Sequence, residues 1–291
     1  MKALGRGAAG RLGRALGRQA PAGIELTALD RTGLDLTDDA SIAQGLDAAA
    51  PTVVINAAAY TAVDRAESEP DHAHAVNAAG VGALARACGA RGIRLIHVST
   101  DFVFDGSLGR PYRPDDPPHP LSVYGASKLE GERQVQAQAG LDWRIVRTAW
   151  VYAPEGHNFV RTMLRLFAER PTVRVVADQV GSPTSAASLA DCLWRAALEG
   201  GTPAILHFTD AGVASWYDFA QAIYEEGRAL GLVRDPVEVV PIATEDYPTP
   251  ARRPSYSVLD KRPAVDRLGL RPVHWRENLR TVLRSIRELG A

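Results

Sequence analysis

The sequence predicts an α/β protein on a doubly wound parallel sheet, followed by a smaller mixed C-terminal unit. Three observations carry this. Short apolar runs recur at residues 24–29, 53–55, 95–98, 145–146, 173–176 and 205–208. Helical patterns such as 41–50 and 81–89 separate them. Near-continuous apolar strands separated by helices mark a parallel sheet covered on both sides.

Composition narrows the classes. The chain has 291 residues, 46% hydrophobic and 23% charged, as in an ordinary folded protein. Lys and Arg total 33 against 34 Asp and Glu, a net charge of −1. That balance gives no reason to expect nucleic acid or an anionic membrane as partner. No apolar run approaches the roughly 20 residues of a membrane span. Cys88 and Cys192 are too few for a disulfide framework or a metal cage and read as small core residues in a reducing, cytoplasmic setting. The Arg- and Ala-rich start has no acid before Glu25, but Gly5, Gly7, Gly10, Gly13 and Gly17 oppose a targeting helix, so it is read as part of the fold.

The elements follow in order. Residues 2–6 form a weak first strand, with Gly5 and Arg6 inside it, prone to fray at the sheet edge or to loosen what binds there. Gly7-Ala8-Ala9-Gly10-Arg11-Leu12-Gly13 comes next. Glycines there permit a tight turn and close backbone approach to a pyrophosphate, which the following helix N-terminus attracts. The strand at 24–29 runs into Asp30, placed for a ribose hydroxyl. Arg31 beside it suits a 2′-phosphate, so NADH and NADPH both remain open. This is the pattern of a Rossmann dinucleotide-binding unit, assigned to 1–148, with segments near 173–180 and 205–222 returning to it. Residues 149–291 form mainly a substrate-binding unit.

The strand at 95–98 leads into Thr100-Asp101, and ligands of open α/β sheets sit outside the carboxyl ends of strands. Tyr124 and Lys128 stand at i, i+4, on one helical face. An ammonium near a phenol lowers its pKa from about 10 and suits it to act as a general acid. His97 and His207 lie inside strands and read as packed core residues, and Asp115-Asp116 among prolines as a solvated turn. Later, 158–170 is an amphipathic helix with Phe159, Met163, Leu164 and Phe167 on one face. Ser215 and Asp218 form a capping box for a helix burying Trp216, Phe219, Ala220, Ile223 and Tyr224. The three prolines of 248–254 exclude regular structure there, and 275–289 closes the chain as an amphipathic helix.

The glycine loop, Asn56–Asp64, Ser99–Gly106 and the Tyr124–Lys128 pair together resemble the extended short-chain dehydrogenase/reductases. Ala66–Pro70, Arg147–Tyr152, Asp178–Thr184 and Pro248–Pro254 narrow the resemblance to the dTDP-4-dehydrorhamnose reductase family, over essentially the whole chain. The resemblance implies hydride transfer from NADPH or NADH to C4 of a dTDP-4-keto-6-deoxy sugar, giving dTDP-L-rhamnose. It implies Tyr124 as the acid, Lys128 on the nicotinamide ribose, Thr100 on the carbonyl oxygen, Asp101 on a sugar hydroxyl and Trp150 lining the sugar pocket. The cofactor would run over Gly7, Gly10, Arg11, Leu12 and Gly13, with Asp30 or Arg31 at the adenosine ribose, Asp35 and Leu36 beside the adenine, and Ala59, Tyr60 and Thr61 as floor. Arg252 and Arg253, with no acid near them in sequence before Asp260, are expected to pair the substrate diphosphate. Some relatives hold magnesium at a dimer contact through Glu; Ala15 and Ala187 fall there, so no structural metal is expected, and the state is monomer or homodimer. The alternatives are a non-catalytic dinucleotide-binding regulatory subunit, or a related 4-ketoreductase, epimerase or dehydratase. Phe102 after Asp101, where dehydratases carry Glu, argues against elimination.

Overall fold

The apolar runs become strands in the computed structural model, which describes residues 1–202 and 204–290. The strands are β1 (Lys2–Arg6), β2 (Glu25–Leu29), β3 (Val53–Asn56), β4 (Arg94–Thr100), β5 (Trp143–Thr148), β6 (Val151–Tyr152), β7 (Thr172–Val176), β8 (Val180–Gly181), β9 (Thr184–Ser185), β10 (Ala204–His207), β11 (Ala214–Ser215) and β12 (Glu238–Ile242). The helices are α1 (Arg11–Arg18), α2 (Asp39–Ala49), α3 (Val63–Ala66), α4 (Pro70–His74), α5 (Gly80–Gly89), α6 (Val123–Gln136), α7 (Phe159–Glu169), α8 (Ala186–Leu198), α9 (Trp216–Ala229), α10 (Arg262–Leu268) and α11 (Trp275–Glu288). A π-helical turn, Ala75–Ala79, joins α4 to α5, and a 3-10 turn, Asp101–Val103, follows β4.

Six strands form one parallel sheet in the order β10-β5-β4-β3-β1-β2. The chain runs outward from β1 to β2, then returns to β3 on the other side of β1. The crevice opens at the carboxyl ends of β1 and β3, where the winding reverses. Helices cover both faces, as near-continuous apolar strands require. On one face Leu16 of α1, Leu189 and Trp194 of α8 and Leu268 of α10 pack against Val53, Ile55 and Ile96. On the other, Ile42 and Leu46 of α2 and Leu84 and Cys88 of α5 pack against Leu4, Val54 and Leu95. Each such large side chain contributes on the order of 1.5–3 kcal/mol by leaving water.

The first strand is firmer than its sequence suggests. It lies inside the sheet, with Leu4 paired to Thr27 on one side and to Val54 on the other, and both Ala3 and Leu4 are buried. Two ladders supply what strand propensity does not.

A second core gathers Val160 and Phe167 of α7, Phe219 and Ile223 of α9, and Leu279 and Leu283 of α11. The box at α9 forms, Ser215 Oγ accepting from the Asp218 amide at 3.0 Å and Asp218 accepting from the Ser215 amide at 2.9 Å. The expected return of 173–180 to the large sheet does not occur. β7 instead pairs in parallel with β12 in its own two-stranded sheet, and its outward residues Thr172 and Arg174 explain why it stays at an exposed layer. β10, from the other expected returning segment, does join the large sheet, beside β5.

A buried ion pair ties α6 to β5. Arg147 donates to Glu132 at 2.9 and 2.7 Å, and both side chains are almost fully enclosed. Removing one partner leaves an uncompensated charge in the core. Glu132→Ala is therefore expected to cost about 3–5 kcal/mol, read from the denaturant midpoint. A double change to Leu at 132 and Met at 147 should cost far less, and equal losses would contradict this account.

Candidate active site

The glycine loop is shaped by contacts that forbid side chains. Gly7 has φ +100°, and its amide donates to the Leu29 carbonyl at 2.9 Å. A Cβ on Gly13 would lie 2.1 Å from the Gly7 carbonyl oxygen. Gly10 caps α1 without a side-chain hydrogen bond, and no acid occupies the first turn of that helix. The first amides of α1 thus lack intrahelical acceptors, and the positive end of the dipole is unopposed. This cradle fits a dinucleotide pyrophosphate. Leu12 and Arg11 are half-buried beside it, and the Arg11 guanidinium donates to the His157 carbonyl across the crevice. Arg18 reaches the same loop with two bonds to Glu155, at 2.7 and 2.8 Å.

At the end of β2, Asp30 is exposed and its carboxylate accepts from the Thr32 amide and hydroxyl and from Gly33. Those bonds hold it below the usual carboxylate range. Arg31 is exposed and pairs with Asp35 at 2.9 Å, and Asp35, also held by Thr37, is pushed down to about 2. Leu36 is different from its expected neighbour: it belongs to the core, only 2% exposed, with Gly80 pressed against its backbone. After β3, Ala59 and Tyr60 are half-buried and Thr61 is exposed. This strip is pinned by Asn77, which accepts from the Tyr60 amide at 2.8 Å and donates to the Tyr60 carbonyl and the Ser127 hydroxyl, both at 3.0 Å.

The catalytic candidates meet at the carboxyl end of β4. Thr100 caps the 3-10 turn and donates to Asp101 Oδ1 at 3.0 Å. Asp101 is buried, its Oδ2 makes no hydrogen bond among the described residues, and burial pushes its carboxyl up to about 6 against the opposing pull of the Ser257 and Thr100 hydroxyls. Helix α6 begins with Ser122 accepting from the Gly125 amide. A Cβ on Gly125 would sit 2.2 Å from the Phe102 carbonyl oxygen, so the helix rests directly on the turn after β4. This places Tyr124 edge-on to Phe102, at 5.7 Å between centroids.

The phenol does not behave as the Tyr–Lys spacing alone predicts. Burial pushes Tyr124 up to about 12, with Asp101 acting in the same direction, and Thr100's hydroxyl and Arg11 opposing them. The cation acting on the phenol comes from the glycine loop. Lys128 turns to β4 instead, donating to the Val98 carbonyl at 2.8 Å and lying 3.2 Å from His97 Nε2. Burial pushes its ammonium down to about 8, against the pull of Glu132. His97 is thus more than a core filler, whereas His207 packs as expected, 3.0 Å from the Tyr112 carbonyl and beside Arg147.

Trp150 is half-buried with φ +48°, a backbone state rarely taken by a bulky residue. Its indole stacks on Trp216 at 3.5 Å and 6°, and Gly181 passes so close that a Cβ would meet the ring at 2.8 Å. The two arginines of the proline loop part company. Arg253 is occupied by Asp64, at 3.0 and 2.7 Å, and by Thr249, so the reading of a loop without an acid nearby is corrected across the fold. Arg252 is exposed and makes no salt bridge among the described residues. Ala15 is buried and Ala187 exposed, and among the described residues no cluster of three or more His, Cys, Asp or Glu could hold a metal ion. Asn77 escaped the sequence reading, as did the contacts of Asn56 with His97, of His97 with Lys128 and of Trp216 with Trp150. A lone Asn in the run Ala75-Val76-Asn77-Ala78-Ala79 was the available signal for one of them.

Comparisons with known proteins point to one family. The family described as RmlD substrate binding domain matches residues 1–288. A dTDP-4-dehydrorhamnose reductase of Burkholderia thailandensis is 44% identical, over 95% of this chain and 96% of that protein. The crystal structure of a dTDP-4-dehydrorhamnose reductase from Clostridium acetobutylicum superposes with a TM-score of 0.89 at 38% identity, covering 99% of this chain and 100% of the other. One from Bacillus anthracis, in complex with NADP, also scores 0.89 at 35% identity, covering 98% and 99%. By family model, sequence identity and fold, the chain belongs to the dTDP-4-dehydrorhamnose reductases, a group of oxidoreductases.

Proposed function

We propose that the chain uses NADPH or NADH to reduce the C4 keto group of dTDP-4-dehydro-L-rhamnose, giving dTDP-L-rhamnose for nucleotide-sugar biosynthesis. The observation that carries it is the meeting of Tyr124, Thr100 and Asp101 at the end of β4, beside the glycine cradle. Bound nicotinamide supplies the hydride. Gly7, Gly10, Arg11, Leu12 and Gly13 hold the pyrophosphate, Asp30 or Arg31 the adenosine ribose, and Ala59 to Thr61 the floor. Asp35 borders the adenine, and Leu36 supports that edge from within.

Thr100's hydroxyl orients the carbonyl oxygen, and Tyr124 passes its phenolic proton to that oxygen as negative charge develops there. Burial suits this direction of reaction, since a phenol kept protonated at neutral pH has a proton to give. Lys128 holds the nicotinamide ribose. Asp101, whose Oδ2 is buried and makes no hydrogen bond among the described residues, takes a sugar hydroxyl, and Trp150 with Trp216 walls the sugar. Arg252 meets the diphosphate, and Arg253 fixes the loop that carries it. Residues 149–291 supply most of the sugar-nucleotide side, and the protein works in the cytoplasm as a monomer or homodimer. Among the described residues no helix is long and apolar enough to cross a membrane.

Tyr124→Phe is expected to lower kcat by about 10²–10⁴ in a NADPH-absorbance assay with the keto sugar nucleotide, while cofactor affinity stays close to the parent value. Full turnover by this variant removes the assignment. Arg252→Glu should raise KM for the sugar nucleotide about tenfold or more, the worth of a charge-assisted bond, without lowering the melting temperature. Arg253→Glu, which sets two carboxylates face to face, should lower the melting temperature as well. The rate should fall as pH rises through about 8, since Lys128 is lowered toward that value and loses its charge above it. A rate that is flat to pH 10 contradicts this.

A further inference from the structure

Four polar contacts behind the catalytic pair, the middle two fully buried, form a chain that reaches Lys128 from β3. Asn56 ends β3, and its Oδ1 accepts from the Ala58 amide at 3.2 Å. An amide oxygen occupied by an N–H leaves the Nδ2 group facing the other way. Nδ2 lies 3.2 Å from His97 Nδ1. The opposite ring nitrogen, Nε2, lies 3.2 Å from Lys128 Nζ, which also donates to the Val98 carbonyl at 2.8 Å. Asn56 and His97 are fully buried and Lys128 nearly so.

Counting donors decides what this arrangement favours. Asn56 Nδ2 can only donate, so His97 Nδ1 must accept, and the ring's proton then sits on Nε2. That N–H points at Lys128. An ammonium has no lone pair, so two donors would meet there; a neutral amine accepts from Nε2–H and still donates to Val98. With the lysine charged, the ring must move its proton to Nδ1, and that proton then faces the Asn56 amide hydrogens. One junction of the chain is unsatisfied in every arrangement that carries the ammonium.

We propose that Asn56 and His97 are positioning residues that set the proton inventory of Lys128, holding its amine against β4 and poising it to give up its proton within the working pH range. The inference rests on the reading of Lys128 as the residue at the nicotinamide ribose. The same Asn56 also anchors the loop that floors the cofactor crevice, so floor and lysine share one support. Other groups bear on the pair. Glu132 on the same helix favours the ammonium and is itself closed by Arg147 from β5. Tyr124 lies one turn back, near Asp101 from the turn after β4 and Arg11 from the glycine loop. Asn77, from the π-helical turn against α6, is uncharged and bonds Ser127.

The test is the pH dependence of kcat/KM at saturating NADPH for the parent, Asn56→Asp, His97→Leu and the double variant. A carboxylate at 56 accepts from Nδ1–H and frees Nε2 to accept from the ammonium. The basic limb of the profile should then move up by about one unit or more, as an added opposite charge acting through a bridging ring does. In the His97→Leu background the same change should move the limb by less than half as much. A limb that Asn56→Asp leaves in place, or moves equally in both backgrounds, overturns the proposal. Should the carboxylate prevent folding, the ¹⁵N imidazole shifts of His97 in the parent protein decide the matter. Above the basic limb the ring should carry its proton on Nε2, and a proton on Nδ1 at that pH overturns it. Lys128→Met separates the two readings: near-full turnover by that variant removes Lys128 from the site, whereas lost turnover with an unmoved Asn56→Asp profile removes only the relay.

Discussion

The site depends on how closely α6 lies against its neighbours. Gly125 touches the Phe102 carbonyl, and a Cβ on Gly131 would come within 2.1 Å of the Asn77 carbonyl oxygen. At two points about one and two-thirds turns apart the helix has no room for even a methyl group. Tyr124 and Lys128 are therefore placed by backbone contact, with little freedom left to their side chains. The turn after β4 and the π-helical turn before α5 act as two rests for one helix.

Burial is the price of that closeness, and it runs through the electrostatics. It raises the phenol of Tyr124 and the carboxyl of Asp101, and it lowers the ammonium of Lys128. Each shift favours the uncharged form, as desolvation does. Local partners then set the balance: Glu132 and Arg147 neutralise each other beneath the pair, and Arg11 supplies the positive charge that faces the phenol. A site with fewer exposed charges relies on placed dipoles, and those act more strongly away from water.

Much of this was legible in the residues. Continuous apolar strands, the glycine spacing and the Tyr124–Lys128 interval each report a local rule, so fold class and the region of the site follow from them. Capping at Ser215 was equally readable, because both partners lie within one turn. What escaped reading are pairings between distant segments. Asp64 meets Arg253 across 189 positions, and Asn56 meets His97 across 41. The partner of a Lys cannot be read from the residue four places away when the sheet offers a carbonyl and an imidazole nearer by. The strand at 172–176 was misplaced for a related reason: its apolar content is local, but its choice of β12 as neighbour is not. The burial of Leu36 was not legible either, because it depends on Gly80, a glycine from a distant helix packed against it.

The bond between Asp64 and Arg253 also bears on Arg252. It fastens the proline-rich loop to the short helix that follows the crevice floor, joining the first quarter of the chain to its last fifth. Arg252 therefore stands one residue from a tie that crosses the fold, and its place above the sheet is set by a carboxylate that its own stretch of sequence does not contain.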